Sequence, residues 1–155
     1  MSNYAASTIA RIADINKGIR VDKSATAITG ISTKSLFTVS GGNVAIIGLV
    51  GEVTTVVQTQ ANNTKFISTP TVGSAVDLCA VVDTSAHEVG GLLTITGTLA
   101  TAAAASNAGA GVMQTNAIMV APGTIGINTA ASNTGAYKFS LWYVPLEDGA
   151  YVTAV

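Results

Sequence analysis

The sequence predicts a mainly β fold, a compact antiparallel β-sandwich or small β-barrel with an extended N-terminal arm. Three observations lead there. The chain of 155 residues is 48% hydrophobic but only 10% charged, against roughly 25% charged in ordinary soluble chains. Thr occurs 21 times and Gly 16 times, a composition suited to sheets with packed or covered faces. Short apolar runs recur between Gly-, Pro- and Asn-rich turns, and no βαβ rhythm is visible.

The elements follow in chain order. Residues 1–23 read as an arm. Ser7 to Ile15 could make a short helical turn with Ile9, Ile12 and Ala13 on one face, too short to be stable alone. Asn16-Lys17-Gly18 reads as its stop. The single β-rich domain spans 24–155. Thr26 to Ser32 is a weak strand candidate, and Lys34 to Val39 a stronger one. Gly41-Gly42-Asn43 is a turn signal. Val44 to Val57 follows as a long strand pair or a bent strand. Gly48 and Gly51 interrupt it where a bulge, bend or close backbone approach is expected.

Lys65 to Ser68, Val76 to Val82, Leu92 to Gly97, Ala117 to Ala121 and Thr124 to Asn128 supply further strands. Residues 99–111 are Ala-rich without amphipathic pattern, and read as a loop or short helix. Tyr137 to Val144 is the clearest strand. Its period of two puts Tyr137, Phe139, Leu141 and Tyr143 on the core face and Lys138, Ser140, Trp142 and Val144 on the other. The expected total is eight or nine strands.

Charge narrows the function. Seven basic and eight acidic residues leave a net charge of -1, and no basic stripe of the kind nucleic-acid binding needs is present. Four of the seven basic residues, Arg11, Lys17, Arg20 and Lys23, lie in the arm beside Asp14 and Asp22. The longest apolar run, the seven residues Val44 to Val50, falls far short of the ~20 that a membrane helix needs. No signal peptide is recognised, which predicts synthesis in a cytoplasm. The lone Cys79 rules out a disulfide within one chain, as suits a reducing compartment.

Between Glu88 and Lys138 stand 49 consecutive residues without Asp, Glu, Lys or Arg. Part of so long a span must reach the surface of a small domain. Thr, Ser, Asn, Gly and Ala lose little on dehydration, so a neutral surface of this extent predicts lasting contact with a partner or a symmetry mate.

No constellation of catalytic residues is found. His87-Glu88 begins like a zinc-hydrolase motif, but His87 is the only histidine, so a His pair is impossible within one chain. Asp77, Asp83 and Glu88 lack calcium-loop spacing. Serine catalysis needs an activating base, and neither G-x-S-x-G nor a phosphate-loop pattern occurs. Neither metal nor cofactor is expected, and the chain is read as a non-enzyme.

Several segments resemble small virion structural proteins of tailed bacteriophages, of the capsid decoration (cement) type. They are Gly41-Gly42-Asn43-Val44-Ala45-Ile46-Ile47-Gly48-Leu49-Val50-Gly51-Glu52-Val53, Val76-Asp77-Leu78-Cys79-Ala80, Ala121-Pro122-Gly123-Thr124-Ile125 and Tyr143-Val144-Pro145-Leu146-Glu147-Asp148-Gly149-Ala150. The resemblance implies a β-domain on the outside of an icosahedral head, bound to the major capsid protein between capsomers, often as a dimer or trimer. It touches neither DNA nor membrane. A tail or baseplate component would share the composition. A carbohydrate-binding module would instead use exposed aromatics such as Trp142 or Tyr151. The candidate interface residues are Arg11, Ile12 and Arg20 in the arm and Ile118, Trp142 and Tyr151 in the body.

Overall fold

The computed structural model describes residues 18–155. The helical turn expected over residues 7–15 lies outside the described residues. Twelve strands are seen among them. The first six are β1 (Ile19–Ala27), β2 (Thr33–Ser40), β3 (Val44–Thr55), β4 (Asn63–Pro70), β5 (Val76–Asp77) and β6 (Val82–Asp83). The rest are β7 (Leu92–Thr94), β8 (Ala104–Ser106), β9 (Ile118–Val120), β10 (Gly123–Thr129), β11 (Ala136–Pro145) and β12 (Tyr151–Ala154). They form two six-stranded sheets. The first runs β1-β11-β3-β7-β8, with β9 also paired to β3; the second runs β12-β2-β10-β4-β5, with β6 also paired to β4. The pairings within both sheets are antiparallel. The two sheets pack face to face in a sandwich-like arrangement.

The core lies between the sheets. From β11, Tyr137, Phe139, Leu141 and Tyr143 all point into it, as their spacing predicts. Phe139 meets Phe66 of the opposite sheet edge-on, with ring centroids 6.0 Å apart and planes at 86°. Such edge-to-face pairs add to area burial. Leu36, Phe37 and Val39 of β2 and Ile125 and Ile127 of β10 close the other side. Each large apolar side chain buried this way contributes about 1.5–3 kcal/mol.

The two glycines of β3 act as the sequence suggests. A Cβ at Gly51 would stand 3.0 Å from Phe139 Cε1, so the ring packs against bare backbone. A Cβ at Gly48 would stand 3.1 Å from Trp142 Cε3. The β11–β3 register shifts beside it, between Trp142 and Tyr143.

Five expectations are corrected. Residues 19–23, placed with the arm, belong to β1, which pairs with β11 from Ile19↔Tyr143 to Ala27↔Ala136. The strand sought over 26–32 is instead the end of β1 followed by a bend. The stretch 76–82 is not one strand. Leu78 and Cys79 are both buried although adjacent, which regular alternation forbids, and Ala80 leaves to bridge Ala102. The Ala-rich 99–111 contains β8 and no helix. The strand count exceeds nine because β5 to β9 are only two or three residues long, too short to leave a periodic trace.

Candidate assembly surface

The charge-free span 89–137 divides in two. One part is core: Leu93 and Ile95 at β7, Ile125 and Ile127 in β10. The other is the long connection from β7 to β9, residues 98–117, which is mostly exposed. Its ends are tied together. The Thr115 and Asn116 N–H groups donate to the Thr96 carbonyl at 3.0 and 3.3 Å, and Thr115 Oγ1 donates to the same oxygen at 3.0 Å. Midway, β8 extends the sheet by pairing with β7. Near its end the connection folds back over the outer face of the first sheet. There Gln114 Nε2 donates to the Ile46 carbonyl at 2.9 Å, and Met113 lies against the Gly48 site.

The result is an exposed, uncharged surface held at several points. Leu99, Val112 and Met113 stand out from it among Ala, Gly, Thr and Asn, with Val112 66% exposed. An interface here would desolvate no ionised group, and so would avoid the largest cost of burying protein surface. Beside it lies an apolar recess of about 180 Å³ between β9 and the β4–β5 turn, lined in part by Pro70, Val76, Leu99 and Met119. Met119 is 70% and Val72, at the tip of that turn, 89% exposed.

The outer face of the first sheet carries the opposite chemistry. A shallow groove of about 530 Å³ is lined by Arg20, Asp22, Glu52, Lys138 and Ser140, among others. Four of its five charges are paired, and the fifth, Lys23, donates to the Val155 carbonyl. Arg20 Nε donates to Asp22 Oδ1 at 2.8 Å, and Lys138 Nζ lies 3.0 Å from Glu52 Oε2. Ser140 Oγ donates to Asp22 at 2.6 Å. That bond, with the Arg20 contact, holds the Asp22 carboxyl below its ordinary pKa. Three cations, Arg20, Lys23 and Lys138, against two anions leave an excess of one positive charge, which offers little field to a polyanion.

The candidate interface residues have different fates. Arg11 and Ile12 lie outside the described residues. Arg20 and Trp142 are brought together, paired across β1 and β11, with the guanidinium 5.3 Å from the ring centroid. Trp142 does face away from the core. Arg20 covers it and it is half-buried, so it is no bare platform for a sugar ring. Tyr151 is exposed, on β12 of the other sheet. Ile118 is corrected to a core residue, 8% exposed. Its neighbour Met119 takes the outward place, because adjacent strand residues point to opposite faces. Alternation within Ile118-Met119-Val120 carried that signal. Val72, Val112 and Met113 left none, since they sit in irregular segments.

His87, Cys79 and Asp83 are used structurally. His87 Nε2 lies 3.1 Å from the Ser106 carbonyl and Nδ1 lies 2.8 Å from Tyr137 Oη. A carbonyl only accepts, so Nε2 carries the ring proton and the Tyr137 hydroxyl donates to Nδ1. Burial pushes the Tyr137 phenol well above its ordinary pKa, which keeps that proton in place. Both ring nitrogens are thereby occupied in tying the 83–91 loop to β8 and β11. Cys79 is packed in the core, where its sulfur accepts the Phe66 N–H at 3.3 Å. Burial raises its thiol pKa, the reverse of what a nucleophile requires. Asp83 Oδ1 accepts the Asn62 and Ser85 N–H groups at 2.9 and 3.0 Å. These backbone bonds lower its pKa.

Among the described residues no group of three or more His, Cys, Asp or Glu is placed to hold a metal ion. No helix among them is long and apolar enough to cross a membrane. Comparison with known proteins finds no matching family model, no matching curated protein and no matching solved structure.

Proposed function

We propose that this chain is a virion structural protein, a decoration protein that binds the outer head surface of a tailed phage between capsomers and stabilises the shell without catalysis. The observation that carries the reading is the 98–117 surface, exposed, free of ionisable groups and tied at both ends to the sheet. The segment resemblance to cement proteins points the same way. Many copies, each burying a modest neutral patch, bind a repeating lattice far more tightly than one copy alone. The occupied His87 ring and the packed Cys79 fit a body that carries load and performs no chemistry.

The finer reading of the fold is a sandwich nearly closed at its edges. It rests on Lys23 Nζ donating to the Val155 carbonyl at the β1–β12 side and the Ala80–Ala102 bridge at the other. Closed edges leave few free strand groups for uncontrolled pairing, which suits a protein concentrated on a particle.

The test is co-sedimentation of the purified protein with undecorated heads and, separately, with isolated tails. Saturable binding to heads alone is expected. Binding to tails alone, or to neither, would refute the head assignment.

A further inference from the structure

We infer that Met113 is an oxidant-sensitive site, where a peroxide turns the thioether into a sulfoxide and so releases the end of the 98–117 connection from the first sheet. The inference concerns the isolated protein and does not depend on the head-decoration reading. It starts from a gap beside β3. On the side away from β11, that strand pairs with β9 over Val44 to Ile46 and with β7 over Val50 to Glu52. Ile47 to Leu49 have no strand partner there. Two side chains of the connection fasten it at this gap. Gln114 Nε2 donates to the Ile46 carbonyl at 2.9 Å. The Met113 methyl lies over Gly48, where an added Cβ would stand 3.4 Å from it and 3.1 Å from Trp142 Cε3. Trp142 is the β11 residue paired with Gly48, so methyl and indole share the space that a side chain at Gly48 would fill.

This slot suits a thioether and not a sulfoxide. Met is apolar and polarizable and packs well beside an aromatic ring. Its sulfoxide is polar and chiral, and a buried acceptor without a donor is costly. Gln114 has no donor to spare. Its Nε2 also donates to the Asn116 carbonyl at 2.7 Å, and its Oε1 is itself buried without a partner. The indole presents Cε3 to the slot, on the far side of the ring from its N–H. The Arg20 guanidinium beside the ring is engaged by Asp22. Met113 is 54% exposed, so a small oxidant can reach it. With hydrogen peroxide, the sulfur lone pair attacks one oxygen, an S–O bond forms as the O–O bond breaks, and water leaves. Sulfur is oxidised and the peroxide reduced. The polar side chain then exchanges the slot for water. Met119 is 70% exposed, but backbone pairing holds its strand to β3, so a sulfoxide there displaces nothing.

Trp142 is the only tryptophan, so fluorescence reads this slot alone. Full-length wild type, Met119→Leu and Met113→Leu are treated with dilute hydrogen peroxide. Leu keeps the apolar volume, and circular dichroism checks folding. Sulfoxide is located by peptide mass spectrometry. In the wild type and Met119→Leu, conversion of Met113 should move Trp142 emission to longer wavelength. It should also speed exchange at the Thr115 and Asn116 N–H groups, which are bonded to the Thr96 carbonyl, by roughly tenfold. Methionine sulfoxide reductases should reverse both changes. Met113→Leu should show neither. Met113 sulfoxide with emission and exchange unchanged would overturn the inference. So would the same changes in Met113→Leu, or a Met113 left unoxidised while Met119 is converted.

Discussion

Phe139→Ala is expected to lower stability by about 3–5 kcal/mol, the usual range for deleting a buried aromatic ring. Phe139 is 1% exposed and occupies the point where the sheets lean on each other. It meets Phe66 edge-on across the core and stacks on Tyr137 within its own strand, with centroids 6.0 Å apart and planes at 22°. Its other side rests on Gly51. Removing the ring leaves a hole with backbone as one wall, and a paired β-strand does not collapse inward to fill it. The urea unfolding midpoint should fall steeply with the m-value preserved. A loss below about 1 kcal/mol would mean that Phe139 is not central to the core.

The second large effect is expected at Gly97, which closes the base of the proposed contact surface. Its φ is +89°, and a Cβ there would overlap the Asn116 carbonyl oxygen and stand 2.8 Å from its carbonyl carbon. Gly97→Ala therefore meets two penalties. Holding an L-residue at positive φ costs about 1–2 kcal/mol. The collision is with backbone, which cannot rotate aside, so the bonds from Thr115 and Asn116 to Thr96 must break. A total of about 2–4 kcal/mol is expected, accompanied by weaker binding to heads. Gly90→Ala is the control. Its φ is +83°, yet an added Cβ meets nothing within 4 Å, so only the conformational penalty of about 1 kcal/mol applies. Equal urea midpoints for the two variants would remove the base closure from the picture.

How much of this was legible in sequence depended on how strongly each segment was buried on one side. In β11, Tyr137 through Tyr143 alternate cleanly because one face meets the core and the other the outer groove. β3 was legible for the same reason, and Gly48 and Gly51 marked where aromatic side chains lie on the backbone. β1 hid because it is an edge strand. Ile19 is exposed and Val21 only half-buried, so Arg20, Asp22 and Lys23 dominated its composition and made it resemble an arm. Residues 76–82 misled because a continuous apolar run does not say whether adjacent residues alternate. Leu78 and Cys79 do not.

The contact surface was legible as a gap in charge and not as a shape. The span 89–137 was visible as neutral, but the count could not separate buried β10 from exposed 98–117. That division comes from tertiary pairing, since β10 is enclosed between β2 and β4 and the β7–β9 connection has a sheet on one side only. Trp142 was legible as a residue facing away from the core, by its alternation with Leu141 and Tyr143. Its burial beneath Arg20 depends on β1, the strand that the sequence concealed.

Backbone hydrogen exchange on the protein bound to heads, compared with the free protein, bears on the proposed contact most directly. Slowed exchange is predicted in the irregular parts of 98–117, with the Arg20–Lys138 groove left as fast as in solution. Unchanged exchange across 98–117, with protection appearing instead on the charged groove or on β12, would contradict it.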